Sequence, residues 1–181
     1  MKNLFFGILL LTAFIGNAQA VKYGVKAGIN ISTLEGDFFD DSDSRIGFAA
    51  GFFAIIPFDN TFSFQPEILY SAQGINTTVE GEFTDQREEL DYLQLPLLLR
   101  ADFGSFNFHL GPQVGVGVWN SFNTEVYKNF DYSALAGIGL DVTKAFFIEA
   151  RYSYGFRNII EDAVGIEGKK RYFQFMVGYK L

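Results

Sequence analysis

His109 is the only histidine in this chain of 181 residues. An imidazole beside a hydroxyl is the minimum equipment of a general base and its nucleophile. Ser105 and Ser121 are the nearby serines, so acyl-transfer chemistry is the first class to weigh. That chemistry needs nucleophile, base and orienting group within hydrogen-bond reach of one another. Thiolate catalysis, disulfides and Cys-based metal sites are excluded, because the chain has Cys 0. Carboxylates cluster at Glu35, Asp37, Asp40, Asp41 and Asp43, a composition that can attract Ca²⁺. Neither the central glycine nor the final glutamate of an EF-hand is in place, so a solvated acidic loop is expected and no metal. Gly115-Val116-Gly117 and Gly137-Ile138-Gly139 have the look of nucleotide loops, but each sits inside an alternating apolar run with no helix after it. No cofactor is expected. A last set, Lys26, Glu67, Gln94, His109, Glu149, Arg151 and Gln174, consists of polar residues each flanked on both sides by apolar ones. They form the candidate site: a polar network inside whatever the flanking residues enclose.

What must position these residues is legible in 105–118. Phe106, Phe108, Leu110, Pro112, Val114, Val116 and Val118 alternate with Ser105, Asn107, His109, Gly111, Gln113, Gly115 and Gly117. Side chains on a strand point alternately to its two faces, so one face is apolar and the other small or polar. A soluble sheet would turn Lys and Glu to water, whereas Gly, Ser, Asn and Gln suit a crowded interior. The run is also long, since a tilted strand crosses a bilayer in about 9–11 residues and soluble strands mostly run about 5–6.

The same alternation recurs at 21–33, 45–56, 61–75, 88–100, 131–142, 145–157 and 170–181, which predicts eight strands. Pro66 and Pro96 each remove a ladder donor and predict bulges or local breaks. Connections alternate between long (34–44, 76–87, 119–130, 158–169) and short (57–60, 101–104, 143–144). An even strand number with short turns on one side and longer loops on the other is the pattern of an all-β, antiparallel, up-and-down transmembrane β-barrel of the outer membrane. An eight-stranded barrel is just wide enough for side chains to fill it, and buried charges must pair, so Lys26, Glu67, Gln94, His109, Glu149, Arg151 and Gln174 are expected to form a belt at similar depth.

Lys2, the apolar run 4–15 and Ala18-Gln19-Ala20 read as a signal peptide cleaved after Ala20, leaving residues 21–181 as one barrel domain. Its loss removes Lys2 and takes the net charge from −7 to −8. That balance argues against nucleic acid, which needs a basic patch. Aromatic residues make up 18% of the chain, enough for lipid contact and interfacial girdles.

Pro66-Glu67-Ile68-Leu69-Tyr70-Ser71 with Gly74, and Tyr92-Leu93-Gln94-Leu95-Pro96-Leu97, resemble segments of the PorT-like outer-membrane β-barrel proteins of Bacteroidetes-type bacteria. Gly24-Val25-Lys26-Ala27-Gly28-Ile29-Asn30 and Val177-Gly178-Tyr179-Lys180-Leu181 are similar too. The resemblance implies the outer membrane of a Gram-negative bacterium, with both termini periplasmic as in barrels of this pattern. The expected role is that of a monomeric, non-enzymatic envelope protein that contacts outer-membrane lipid and other envelope proteins through its outer loops. Two alternatives stay open: a lipid-modifying barrel enzyme using His109, or a soluble lipocalin-like barrel whose apolar faces line a ligand cavity.

Overall fold

The computed structural model describes residues 21–35, 45–77, 86–120, 130–158 and 169–181. They form eight strands: β1 (Lys22–Glu35), β2 (Arg45–Pro57), β3 (Phe62–Thr77), β4 (Gln86–Phe103), β5 (Phe106–Asn120), β6 (Phe130–Asp141), β7 (Phe146–Asn158) and β8 (Lys169–Lys180). Each strand pairs antiparallel with the next, and β8 returns to β1, closing an up-and-down barrel. The predicted cleavage site and residues 1–20 lie outside the described residues, as do 36–44, 78–85, 121–129 and 159–168.

Closure follows from the alternation. On β5, Asn107, His109 and Gln113 are buried while Phe106, Phe108, Leu110, Val116 and Val118 are exposed. The same holds all round: Phe52, Ile68, Leu93, Leu97, Ile148 and Phe175 face out, and Lys26, Glu67, Gln94, Arg100, Arg151 and Gln174 face in. The apolar faces are therefore on the outside. This corrects the lipocalin-like alternative, which requires them to line the interior.

Several predicted boundaries shift. β4 is longer than expected, running to Phe103, so the turn after it is Gly104-Ser105 rather than 101–104. Phe103 pairs with Phe106, and Gly104 has φ +66, the positive-φ first position of a type II′ hairpin. A Cβ added at Gly104 meets nothing within 4 Å, so only the backbone opposes a side chain there. Gly104→Ala should cost about 1–2 kcal/mol, read from the urea midpoint of the refolded barrel.

The turn between β6 and β7 occupies 142–145 rather than two residues. It repeats the chemistry of the turn after β2. Thr61 and Phe62 donate their backbone N–H to Asp59 Oδ1 at 2.7 Å each. Ala145 and Phe146 donate likewise to Thr143 Oγ1 at 3.2 and 2.8 Å. The two N–H donors hold the Asp59 carboxyl below its ordinary pKa.

The prolines break the ladder without shifting it. The β3–β4 pairing runs to Pro66↔Leu97 and resumes at Leu69↔Gln94 in the same register. The β4–β5 pairing has the same kind of gap between Pro96↔Gln113 and Leu99↔Leu110. The irregularities that do shift register lie at Asp91/Tyr92 and between Tyr154 and Asn158. Both are nearer the end of the barrel opposite the short turns, hereafter the loop end.

Candidate functional site

The interior combines charges and amides, spaced two residues apart along the strands, with buried apolar side chains such as Leu69, Leu98, Leu135 and Met176. Lys26 on β1, Glu67 on β3 and Glu149 and Arg151 on β7 meet as one ion cluster. Lys26 Nζ lies 2.7 Å from Glu67 Oε1 and 3.0 Å from Glu149 Oε1. Arg151 donates through Nη2 to Glu67 Oε1 at 2.6 Å and through Nη1 to Glu67 Oε2 at 2.7 Å, a two-pronged fork. Its Nε is 2.9 Å from Glu149 Oε1. Gln65 adds a further donor to Glu67 at 2.6 Å. β3 and β7 stand on opposite sides of the eight-stranded ring, so the Arg151–Glu67 fork spans the interior. The four ionised side chains are 0–1% exposed and carry two charges of each sign. Balance is what makes the arrangement tenable: an unpaired ion in a dry interior costs several kcal/mol.

The hydrogen bonds of the other three residues of the candidate network run to other partners. Gln174 donates to Asn30 Oδ1 at 2.7 Å, and Asn30 passes a hydrogen bond to Ser71 Oγ at 2.7 Å. Gln94 accepts a long hydrogen bond of 3.4 Å from the Tyr172 hydroxyl, which in turn accepts one from Gln113 at 2.7 Å. His109 Nδ1 lies 3.3 Å from Asn107 Oδ1. The inward residues Gln65, Asn30, Gln113, Tyr172 and Arg100 were not singled out from the sequence, though the same alternation marks them.

Glycine supplies the room. A Cβ at Gly139 would sit 2.6 Å from Asn107 Oδ1, and one at Gly137 would overlap the His109 ring nitrogen Nε2. The two Gly-x-Gly stretches therefore lie within β5 and β6 (Gly115 and Gly117 on the first, Gly137 and Gly139 on the second) with no helix to receive a phosphate.

His109 is 1% exposed and faces this interior, shut off from the lipid side. Ser105 is four residues away in the exposed turn, about 13 Å at the rise of a strand and far beyond hydrogen-bond reach. Ser121 lies outside the described residues, as do most of the acidic residues 35–43.

At the short-turn end a polar cavity of ≈ 390 Å³ opens between the strands, walled by Lys22, Ser63, Arg100, Asp102, Asp141 and Lys180. Arg100 holds Asp102 through Nε at 2.9 Å and Nη2 at 2.7 Å, and Lys180 holds Asp141 at 2.6 Å.

Outside, an aromatic ring circles the short-turn end, with Tyr23, Phe62, Phe103, Phe106, Phe146 and Tyr179 all at least 40% exposed. Near the loop end the outer face carries the first charges, Asp91 held by the Tyr70 hydroxyl at 2.5 Å and Arg171 over the Tyr154 ring at 4.9 Å. The apolar band lies between these two levels.

A closed eight-stranded barrel with an apolar outer band, aromatic residues at its edge and a polar interior is the architecture of a transmembrane barrel. The chain belongs to the outer membrane protein beta-barrel domain family, whose model matches residues 17–161. It is an outer-membrane β-barrel. Among solved structures it is similar to Neisserial surface protein A (NspA), with a TM-score of 0.62 and 14% identity over 90% of this chain and 100% of that one. It is also similar to Ail, the attachment invasion locus protein of Yersinia pestis, with a TM-score of 0.55 and 13% identity over 88% of this chain and 98% of that one. Ail in a phospholipid bilayer nanodisc gives a TM-score of 0.56 at 15% identity, over 90% and 100% of the two chains. At these identities the likeness is one of fold. Comparison with curated proteins finds no match.

Proposed function

We propose that this chain is a small, non-enzymatic barrel of the PorT-like, Bacteroidetes type, closed to ions by its own side chains and acting through its outer loops as an interaction protein of the envelope. Both termini and the short turns face the periplasm, and the long connections face out. The protein works as a monomer, in contact with outer-membrane lipid and with other envelope proteins. The observation that carries the closed interior is the charge-balanced cluster of Lys26, Glu67, Glu149 and Arg151, which ties β1, β3 and β7 together across the barrel axis. A water-filled pore has no need of ion pairs that reach from wall to wall, and its charges would be hydrated singly.

Among the described residues His109 is hydrogen-bonded to no serine, its Nδ1 lying 3.3 Å from Asn107 Oδ1, which supports a role without catalysis. What is left for function is the surface beyond the membrane, and the outer loops of such barrels are long enough to present one.

Planar-bilayer recording tests the reading. The purified, refolded protein should give a current indistinguishable from the protein-free membrane. Stepwise conductance in the unmodified protein would overturn the closed interior and make this a pore.

A further inference from the structure

Between the ion cluster and the short-turn cavity, on the β7–β2 side of the barrel, lies a pair of inward aromatic rings. Phe53 on β2 and Phe147 on β7 meet inside the barrel, 5.3 Å between ring centroids and at 85° to each other. They are 4% and 1% exposed, and Ile55 joins them in one buried cluster. Each ring rests on a glycine of a neighbouring strand: a Cβ at Gly24 would overlap Phe53, and one at Gly178 would overlap Phe147.

The order of the layers follows from the two-residue step of each strand. Along β1 the inward residues run Lys22, Gly24, Lys26, from cavity wall to ring seat to ion cluster. Along β8, Lys180 walls the cavity and Gly178 seats Phe147. Along β7, Phe147 is followed inward by Glu149 and Arg151. The aromatic pair carries a cation near each ring: Lys26 Nζ is 5.5 Å from the Phe53 centroid and Lys180 Nζ is 5.6 Å from the Phe147 centroid. The first belongs to the cluster and the second to the cavity.

We infer that the Phe53–Phe147 pair is a second seal of the interior, independent of the ion cluster, and that it keeps water and ions in the short-turn cavity from reaching the buried charges. The inference rests on the closed-interior reading above. Hydrophobic constrictions stop ions by dewetting, because an ion that enters must shed water against apolar walls. The two crossed rings, seated on glycine, fill the β7–β2 side of this level, and on the β3 side Gln65, 1% exposed, fills it with both ends of its amide engaged, accepting from Arg100 Nη1 at 3.1 Å and donating to Glu67 at 2.6 Å. Neutralising the ion cluster therefore does not by itself admit solvent from the short-turn side.

The chain has Cys 0, so a single introduced cysteine reports access without background. Ala49→Cys places a thiol in the buried group Ala49, Leu69 and Met176, four residues beyond Phe53 along β2. Lys22→Cys places a control thiol at the cavity wall, on the outer side of the rings. Labelling by a charged methanethiosulfonate is compared in four backgrounds: unchanged, K26M/E67Q, F53A/F147A, and all four substitutions together. K26M/E67Q removes one charge of each sign and leaves Arg151 balanced by Glu149. Only barrels that show heat-modifiable mobility in SDS gels are scored, and F147A replaces F53A/F147A if the double variant does not fold.

Labelling at Ala49→Cys should stay slow in the first three backgrounds and rise by at least an order of magnitude in the combined one, while Lys22→Cys reacts fast in all. Fast labelling in K26M/E67Q alone, or none in the combined variant, overturns the aromatic seal and leaves the closed interior standing. Fast labelling at Ala49→Cys in the unchanged background overturns the closed interior itself.

Discussion

Glu67→Gln should destabilise the barrel by about 3–5 kcal/mol, the cost of leaving buried charge uncompensated. Glu67 receives both prongs of the Arg151 fork, the Lys26 ammonium and the Gln65 amide, all within 2.6–2.7 Å. Once it is neutral, Lys26 and Arg151 share Glu149 alone, and one positive charge is stranded among side chains that are 0–1% exposed. Attraction to a single remaining carboxylate does not offset the desolvation of two cations. The measurement is the folded fraction against urea in lipid vesicles, followed by heat-modifiable mobility. The diagnostic comparison is with Lys26→Met/Glu67→Gln. That pair restores charge balance, so it should recover most of the loss, a coupling that only residues in one network show. A loss below about 1 kcal/mol for Glu67→Gln would instead fit exposed ion pairs, which contribute about 0–1 kcal/mol, and would mean a hydrated interior.

Leu97→Lys should cost about 2–4 kcal/mol, the depth-dependent penalty for a cation on the lipid face near the midplane of a barrel. Leu97 faces outward on β4, midway between Phe103 at the short turn and Asp91, the outward charge near the loop end. A lysine there has the longest way to either interface. Val116 is equally apolar and 47% exposed, but it pairs with Leu93, two residues from Asp91. Lys at Val116 can extend its ammonium to the interface, so the cost should fall to about 0–1 kcal/mol. The same urea titration in bilayers reads both. Equal costs at the two positions would mean that the apolar band is not centred on Leu97, and a negligible cost at Leu97 would mean that the face is not in lipid at all.

Much of this architecture needs no coordinates to be seen. The alternation in 105–118 is carried by single residues: Asn107, His109 and Gln113 against Phe106, Leu110 and Val114. Burial of the first set follows from any arrangement that puts the second in lipid. The strand count, the antiparallel order and the inward direction of Lys26, Glu67, Glu149 and Arg151 follow from the same period of two, because a one-residue slip would move every charge into the membrane.

The tertiary structure decided two further matters. One is which inward residues meet. Arg151 finds Glu67 across the ring, whereas Gln94 goes to Tyr172 and Gln174 to Asn30. Those pairings depend on the stagger of strands that closure and shear impose, and no single strand encodes its height relative to one on the far side. The other is the aromatic pair. Phe52-Phe53 on β2 and Phe146-Phe147 on β7 are locally apolar on both faces; the alternation of the rest of each strand sends Phe52 and Phe146 out and Phe53 and Phe147 in, but it does not tell that the two inward rings meet. Closure brings Phe53 and Phe147 together at the one level where Gly24 and Gly178 leave space for two rings. A strand's own alternation sets the face each side chain takes, but its height and its partner across the axis come from the shear of the closed ring.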